Sequence, residues 1–302
     1  MELTKPRITR LVTMTSLVGF VLSLRIRTGT HTNADLAVAA LGCGLGTYLS
    51  SAGANALNQW LERVRDARMR RTALRPLPTG RLTSGGALAA GLALSLVGVG
   101  LLCVLCGPAA ALVSLGTILI YVLLYTPTKP LTPLSTLIGA VPGALPPLIG
   151  WSAAATLASG DRSWLAGLDE AGGWTLFALM AVWQIPHFLA LAWMYQDDYA
   201  AGGHRMLPLY DRTGRLTAGV TLGFTLLLIP ATLAPAVFMP TLLGPVYMAI
   251  AAVSGAVFLA ACIRLARQMS PVNARRVFIA SVLHLPLLLA AMVAEVVARA
   301  VL

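Results

Sequence analysis

Apolar residues gather in nine long blocks, near residues 11–29, 35–60, 86–106, 109–126, 134–157, 174–195, 217–239, 242–263 and 275–298, with shorter polar or turn-rich segments between them. Each block is long enough to cross a hydrocarbon layer of roughly 30 Å as an α-helix. That layer holds no water to satisfy backbone amides, so a helix is the form such a block must take. The pattern predicts an all-α polytopic membrane protein, with nine transmembrane helices around a central cavity in one domain over residues 1–302. Pro142, Pro146 and Pro147 in the fifth block and Pro186 in the sixth lack the amide proton that a helix interior uses, and are expected to bend or break their helices. Irregular backbone at membrane depth is tolerated where it faces protein or a wet cavity.

The polar positions are as patterned as the apolar ones. In the second block Gly42, Gly46, Ser50 and Ala54 recur at four-residue spacing and lead into Asn58, Glu62 and Asp66. On a helix a four-residue step keeps neighbours on one face. Small residues there let another helix approach closely, and oxygen-bearing side chains at the same spacing can hold a hard cation such as Mg²⁺. Arg71 and Arg75 follow, one turn apart if the helix continues, and guanidinium groups bind phosphate oxygens in pairs. Pro76 sets the expected helix end. The plainer reading is a loop made basic for topology, its acids salt-bridged at the surface.

The sixth block carries His187 and closes on Asp197 and Asp198, followed by the turn formers Gly202 and Gly203. Adjacent like charges repel, which a second cation would relieve; simple acidic capping of a loop is the alternative. His187, beside Pro186 and Trp183, is either a hydrogen-bonded packing residue or a group that ligates haem iron or orients a substrate. His31, His204 and His284 have weaker cases. The fourth block ends in Tyr125 and then Lys129, a point charge suited to pyrophosphate or to anchoring the chain on one side. The loops after the second and sixth blocks emerge on one side and both open with acids, which suggests an internal repeat with a site between its halves.

Composition removes the soluble alternatives. The chain is 57% hydrophobic and 11% charged, with a mean hydropathy of +0.79, a balance soluble domains do not show. Its net charge of +11 is distributed by side. With the N-terminus inside, the outer segments hold only Arg25, Arg27, Arg162 and Arg299 among the lysines and arginines. That bias places the N-terminus in the cytosol. The charge is therefore a topology signal, and no soluble basic domain exists to bind nucleic acid. Lys5, Arg7 and Arg10 before the first apolar block imitate a signal peptide, but no cleavage site is clear, so an uncleaved first span is expected. Cys43, Cys103, Cys106 and Cys262 all lie in apolar runs, and packing is their expected role.

At this point the residues resemble a known family. The run Asn58…Glu62…Asp66…Met69…Arg71-Thr72…Arg75-Pro76-Leu77 resembles the first polar motif of the UbiA-type intramembrane prenyltransferases. Thr4-Lys5-Pro6-Arg7, Tyr125-Thr126 with Lys129 and Thr132-Pro133, and Gly139 through Trp151 are similar as well. Trp183-Gln-Ile-Pro-His187-Phe with Asp197-Asp198-Tyr199 and Gly202-Gly203 resembles the haem-modifying members rather than the quinone-pathway ones. The resemblance covers nearly the whole chain.

It implies Mg²⁺-dependent transfer of farnesyl from farnesyl diphosphate to a vinyl group of haem B, giving haem O, in a cavity open to the lipid bilayer. The first metal motif would be Asn58, Glu62 and Asp66 and the second Asp197 and Asp198. Arg71, Arg75, Lys129 and Tyr125 would hold the diphosphate, His187 the haem, and Asn55 also falls on a position the family pattern singles out. A bacterial plasma-membrane location and a haem A synthase as partner belong to the same expectation. Met194 departs from the pattern, standing where haem-modifying members usually have Asn; so does Pro130, where a basic residue is expected after Lys129. The rival readings are a prenyltransferase for an aromatic quinone precursor and a membrane transporter.

Overall fold

The computed structural model describes residues 2–27, 31–160 and 162–301, without the side chains of the last two. The end of the first predicted block (residues 28 and 29) and Asp161 in the loop after the fifth lie outside the described residues. Among the described residues there is no strand, and nine helical stretches are long and apolar enough to span a membrane. We number the helices α1 (Pro6–Ile26), α2 (Asn33–Asp66), α3 (Ser84–Cys106), α4 (Pro108–Thr128), α5 (Ser135–Ala144), α6 (Pro146–Ser159), α7 (Ala171–Met194), α8 (Gln196–Ala201), α9 (Leu207–Tyr210), α10 (Arg215–Phe238), α11 (Pro245–Arg267) and α12 (Pro271–Val301). The fifth span is the broken pair α5–α6, and α8 and α9 are short pieces of the second polar loop.

Local sequence explains most of the boundaries. Thr32 and Asp35 form a reciprocal capping box at the start of α2, satisfying amides the first turn leaves orphaned. Thr83 caps α3 one-sidedly, its hydroxyl accepting from the Gly86 amide. The break between α5 and α6 falls at Leu145, ahead of Pro146 and Pro147. Pro186, expected to bend or break the sixth span, does not break it: it lies inside a continuous α7. Neighbouring helices hold that segment, so one missing amide bond does not part it.

Packing divides the spans into two groups. In one, α1, α2, α3, α4 and α6 surround one another; in the other, α7, α10, α11 and α12 close a four-helix ring, and α5 joins the groups by lying along α7. The α2–α3 contact is the most extensive, and the small residues of α2 are the reason. A methyl group added to Gly98 on α3 would fall 2.4 Å from the Ser50 backbone nitrogen and 2.8 Å from the Gly46 carbonyl oxygen. The helices touch backbone to backbone, as small-residue interfaces in lipid allow. The four cysteines are unpaired, with Cys43, Cys106 and Cys262 buried in the packing.

Candidate active site

The last two turns of α2 end in a buried polar cluster at the side of the bundle that carries the N-terminus. Asn58, Glu62 and Asp66 are all buried. Lys5 Nζ donates to Asn58 Oδ1 at 2.6 Å. Asn58 Nδ2 donates to Glu62 Oε2 at 2.8 Å and to Thr126 Oγ1 at 3.0 Å. Lys129 Nζ donates to Glu62 Oε1 at 2.9 Å, and Arg75 Nη1 to Asp66 Oδ2 at 2.7 Å. Each oxygen-bearing residue thus meets a cation from a different segment: the N-terminus, the turn after α4, and the loop after α2. Buried charges need such partners because desolvation of an unpaired one is prohibitive.

Three local devices deliver these groups. The α2 helix stops at Asp66, so Arg71 and Arg75 are not one helical turn apart as the continuing-helix expectation had it; they ride on successive turns of 67–80. The Thr72 hydroxyl donates to the Asp66 carbonyl at 2.8 Å, occupying an oxygen that the helix end leaves open. In α4, residues Ile120–Tyr125 form a π-helical stretch, closed by the Thr126 amide on the Tyr121 carbonyl. Such wider turns concentrate at functional sites, and this one brings the rings of Tyr121 and Tyr125 to the cavity wall. Lys129 Nζ sits 4.5 Å from the Tyr125 ring centre. Third, the Asp198 carboxylate accepts from the backbone amides of Arg70 and Arg71 at 3.2 and 3.3 Å. Arg71 in turn stacks over Tyr195 and Tyr199, at 5.2 and 5.6 Å from their ring centres, and the Arg205 amide donates to the Lys129 carbonyl at 2.7 Å. The two polar loops are therefore joined at one mouth.

Behind that mouth lies a cavity of about 420 Å³. Glu62, Asp66, Arg71, Arg75, Lys129 and His204 stand at its polar end; Val12, Ile118, Pro142, Ile149 and Met180 line its apolar body. Trp183, Gln184 and His187 of α7 form part of the wall. Asn55 also lines it, donating to Thr9 Oγ1 at 3.3 Å. The sequence-selected residues Asn55, Glu62, Asp66, Arg71, Arg75, Tyr125, Lys129 and His187 all reach the cavity; Asn58 lies behind the wall, joined to it through Lys5 and Glu62. Asp198 sits at the rim, as a clasp between loops. Asp197 is exposed and does not line the cavity.

Some participants were not singled out from sequence. Lys5 enters the sequence reading as a topology charge and within the family-like run Thr4-Lys5-Pro6-Arg7, with no site role, although the chain has only two lysines among its 22 lysines and arginines, and both are in this cluster. Burial pushes the Lys5 ammonium down to about 7, with Arg75 and Lys129 adding to the effect. Burial acts the same way on Lys129, but the Glu62 carboxylate, with Tyr125 and Tyr121, more than offsets it and holds that ammonium above the usual lysine range. His204 is buried, lines the cavity, and is held down to about 4 by its burial; only its place after Gly202-Gly203 hinted at an inward turn. Among the described residues no three His, Cys, Asp or Glu side chains form a ready-made metal cluster. The fit to a hard cation rests on one atom: Asp66 Oδ1 is buried at the cavity without a hydrogen-bond partner among the described residues, beside other oxygen donors of the kind Mg²⁺ takes.

The fold and the cavity define a class first: a polytopic membrane protein with an intramembrane chamber, charged at one mouth and greasy within. The UbiA prenyltransferase family model matches residues 12–288, and the chain belongs to that family. A protoheme IX farnesyltransferase of Solibacter usitatus is 43% identical over 95% of this chain and 94% of its own length. One of Koribacter versatilis is 38% identical over 97% and 92%. Among solved structures, a digeranylgeranylglyceryl phosphate synthase is similar over 98% of this chain and 96% of its own, with a TM-score of 0.76 at 16% identity. A UbiA homologue from Archaeoglobus fulgidus bound to GPP and Mg²⁺ is similar over 96% and 99%, with a TM-score of 0.53 at 14% identity.

Proposed function

We propose that this chain transfers the farnesyl group of farnesyl diphosphate to a vinyl group of haem B, with addition of water, giving haem O and diphosphate. The observation that carries the reading is the cavity itself: carboxylates and cations crowd one mouth, and a histidine-bearing apolar body lies behind it. Full-length relatives bearing the name protoheme IX farnesyltransferase support the choice of acceptor.

Glu62 and Asp66 at the cavity, backed by Asn58, would hold Mg²⁺; their oxygen donors and Asp66 Oδ1, without a hydrogen-bond partner among the described residues, support this, as does the Mg²⁺ bound in a structural neighbour. Asp197 and Asp198, expected as a second metal motif, gain no such support: Asp197 is exposed and Asp198 is taken up by the Arg70 and Arg71 amides. When bound, the ion neutralises diphosphate charge and makes it a better leaving group. The chain's own cations do the rest. Lys129, Lys5, Arg71 and Arg75 bind diphosphate oxygens and stabilise the charge that collects there as the farnesyl carbon–oxygen bond breaks. The electron pair leaves with diphosphate. The terminal vinyl carbon of haem then attacks the allylic cation, and water captures the neighbouring carbon and gives up a proton. Val12, Ile118 and Pro142 exclude water from the first cation, and His187 orients the haem. The mouth faces the cytosol of a bacterial plasma membrane, and a haem A synthase would consume the product.

Membranes containing the chain, given haem B, farnesyl diphosphate and Mg²⁺, should form haem O and release diphosphate in equal amounts, and lose both on chelation. Prenylation of an aromatic carboxylic acid instead, with haem B untouched, would overturn the assignment.

A further inference from the structure

We infer that Ser281 on α12 is a positioning residue, fixing His187 as the Nδ1–H tautomer so that its Nε2 lone pair faces the cavity and ligates the iron of the haem substrate. The inference rests on the haem-modifying reading above and deepens it.

It starts from the proton count of one hydroxyl. Ser281 is fully buried, and its Oγ lies 2.6 Å from the Phe278 carbonyl oxygen and 2.8 Å from His187 Nδ1. A serine hydroxyl has one proton to give and two lone pairs to receive with. A carbonyl oxygen can only accept, so the proton goes to Phe278. The second contact then closes only if His187 Nδ1 carries a hydrogen and donates it. A neutral imidazole has one N–H, which leaves Nε2 as a bare acceptor.

Packing holds the ring in that pose. The imidazole is stacked between Trp183, at 5.0 Å and 22°, and Phe278, at 5.0 Å and 29°. Trp183 Nε1 donates to the Ser281 carbonyl at 2.8 Å, so one serine anchors both the histidine and its stacking partner. Trp183 and His187 are one turn apart on α7; Phe278 and Ser281 are one turn apart on α12. The cage therefore records the α7–α12 crossing. The Nδ1 edge is turned toward Ser281, which does not line the cavity, whereas His187 does. Among the described residues the His187 ring has a hydrogen bond at Nδ1 alone, and Nε2 is not engaged by the protein. A metal-ligating histidine characteristically donates its other N–H to a second group, which sets the tautomer and the basicity of the ligating nitrogen.

The test uses the full-length chain in lipid nanodiscs with haem B as the probe. Ser281→Ala should weaken haem B binding by about 10-fold or more. It should also shift the ferrous iron–imidazole stretch to lower frequency in resonance Raman spectra, because Nδ1 has lost its acceptor. Ser281→Thr should restore both, and binding of a non-hydrolysable farnesyl diphosphate analogue should not change in either variant. His187→Ala should abolish the histidine-ligated spectrum, and added imidazole should restore it. Nitrogen-15 NMR of the substrate-free wild type reads the tautomer without any variant and should find Nδ1 protonated. An Nε2-protonated His187, or a Ser281→Ala protein with wild-type haem affinity and stretch, overturns the role of Ser281 and leaves the haem reading standing. Absence of any histidine-ligated haem in a wild type that prenylates another acceptor overturns the haem reading, and the inference with it.

Discussion

At the scale of single residues, the site turns on Asp66. One of its oxygens is held by Arg75 and the other has no partner among the described residues. Asp66→Asn keeps the shape and the contact surface but removes the charge a cation would seek. Haem O formation should fall by about 10²-fold or more, with the protein still inserted and its thermal transition near that of the wild type; haem O measured by chromatography of pigment extracts checks this, and near-normal turnover would remove Asp66 from the metal role. Lys5 supplies a pH signature. Substrate-free, its ammonium titrates near 7 because burial disfavours the charge. A bound diphosphate favours the charge and raises that value. Affinity is then fully expressed below the substrate-free value and falls as pH rises through it, by at most about one log unit per pH unit. Lys129, held above the lysine range by the Glu62 carboxylate, stays charged across the window. Calorimetry with a farnesyl diphosphate analogue between about pH 7 and 9 should show this decline in the wild type and a flatter profile in Lys5→Met; an unchanged slope would place the titration elsewhere. The difference in legibility between the two residues is instructive. Asp66 announced itself through four-residue spacing. Lys5 did not, because a lysine just before a first span is what topology alone requires.

At the scale of elements, the sequence signals that succeeded were the strongly periodic ones. The small-residue run on α2 implied a close neighbour, and α3 is that neighbour through Gly98, Gly91 and Ser95. Gly98→Ala would force a methyl group against the Ser50 and Gly46 backbone, where no side chain can swing away. It should cost about 1–3 kcal/mol as overpacking and loosen the helix that carries Asn58, Glu62 and Asp66, so activity falls with stability. Gly100→Ala, two residues on, meets open space and should be neutral or stabilising by up to about 1 kcal/mol through helix propensity. Thermal unfolding of the two variants side by side checks the contrast; equal effects would mean that the α2–α3 approach is not the constraint. What sequence could not supply were features set by tertiary contact. The break at Leu145 was legible in Pro146-Pro147, whereas at Pro186, where a bend or a break was expected, there is no break and packing of α7 keeps the helix continuous. The π-helical stretch at Ile120–Tyr125 has no local signature, yet it carries the rings of Tyr121 and Tyr125 to the cavity. The end of α2 at Asp66, ten residues ahead of Pro76, depends on Thr72 and on the Asp198 clasp, contacts that become visible only when the two loops meet.

At the scale of the whole molecule, the same charges that shape the mouth also orient it. Arg63, Arg65, Arg68, Arg70, Arg81, Arg205, Arg212 and Arg215 crowd the helix ends and loops around the site, while the opposite side has Arg25, Arg27, Arg162 and Arg299. Two of that sparse set are committed to carboxylates: Arg27 pairs with Glu170 and Arg299 with Glu295. A rule that keeps lysine and arginine on the cytosolic side predicts that the mouth lies there. Substrate chemistry leads to the same side independently. A prenyl diphosphate carries charge that cannot enter the hydrocarbon layer without a severe cost, so its head must be met by the protein on the face where it is made, while its tail slides into the apolar body from the lipid. Alkaline phosphatase fused after Gly80 should therefore be inactive and after Trp164 active, with green fluorescent protein giving the reverse pattern. Activity of the phosphatase at Gly80 would put the carboxylates and arginines on the far side of the membrane from a cytosolic diphosphate, and the proposed reaction would have no route to its substrate.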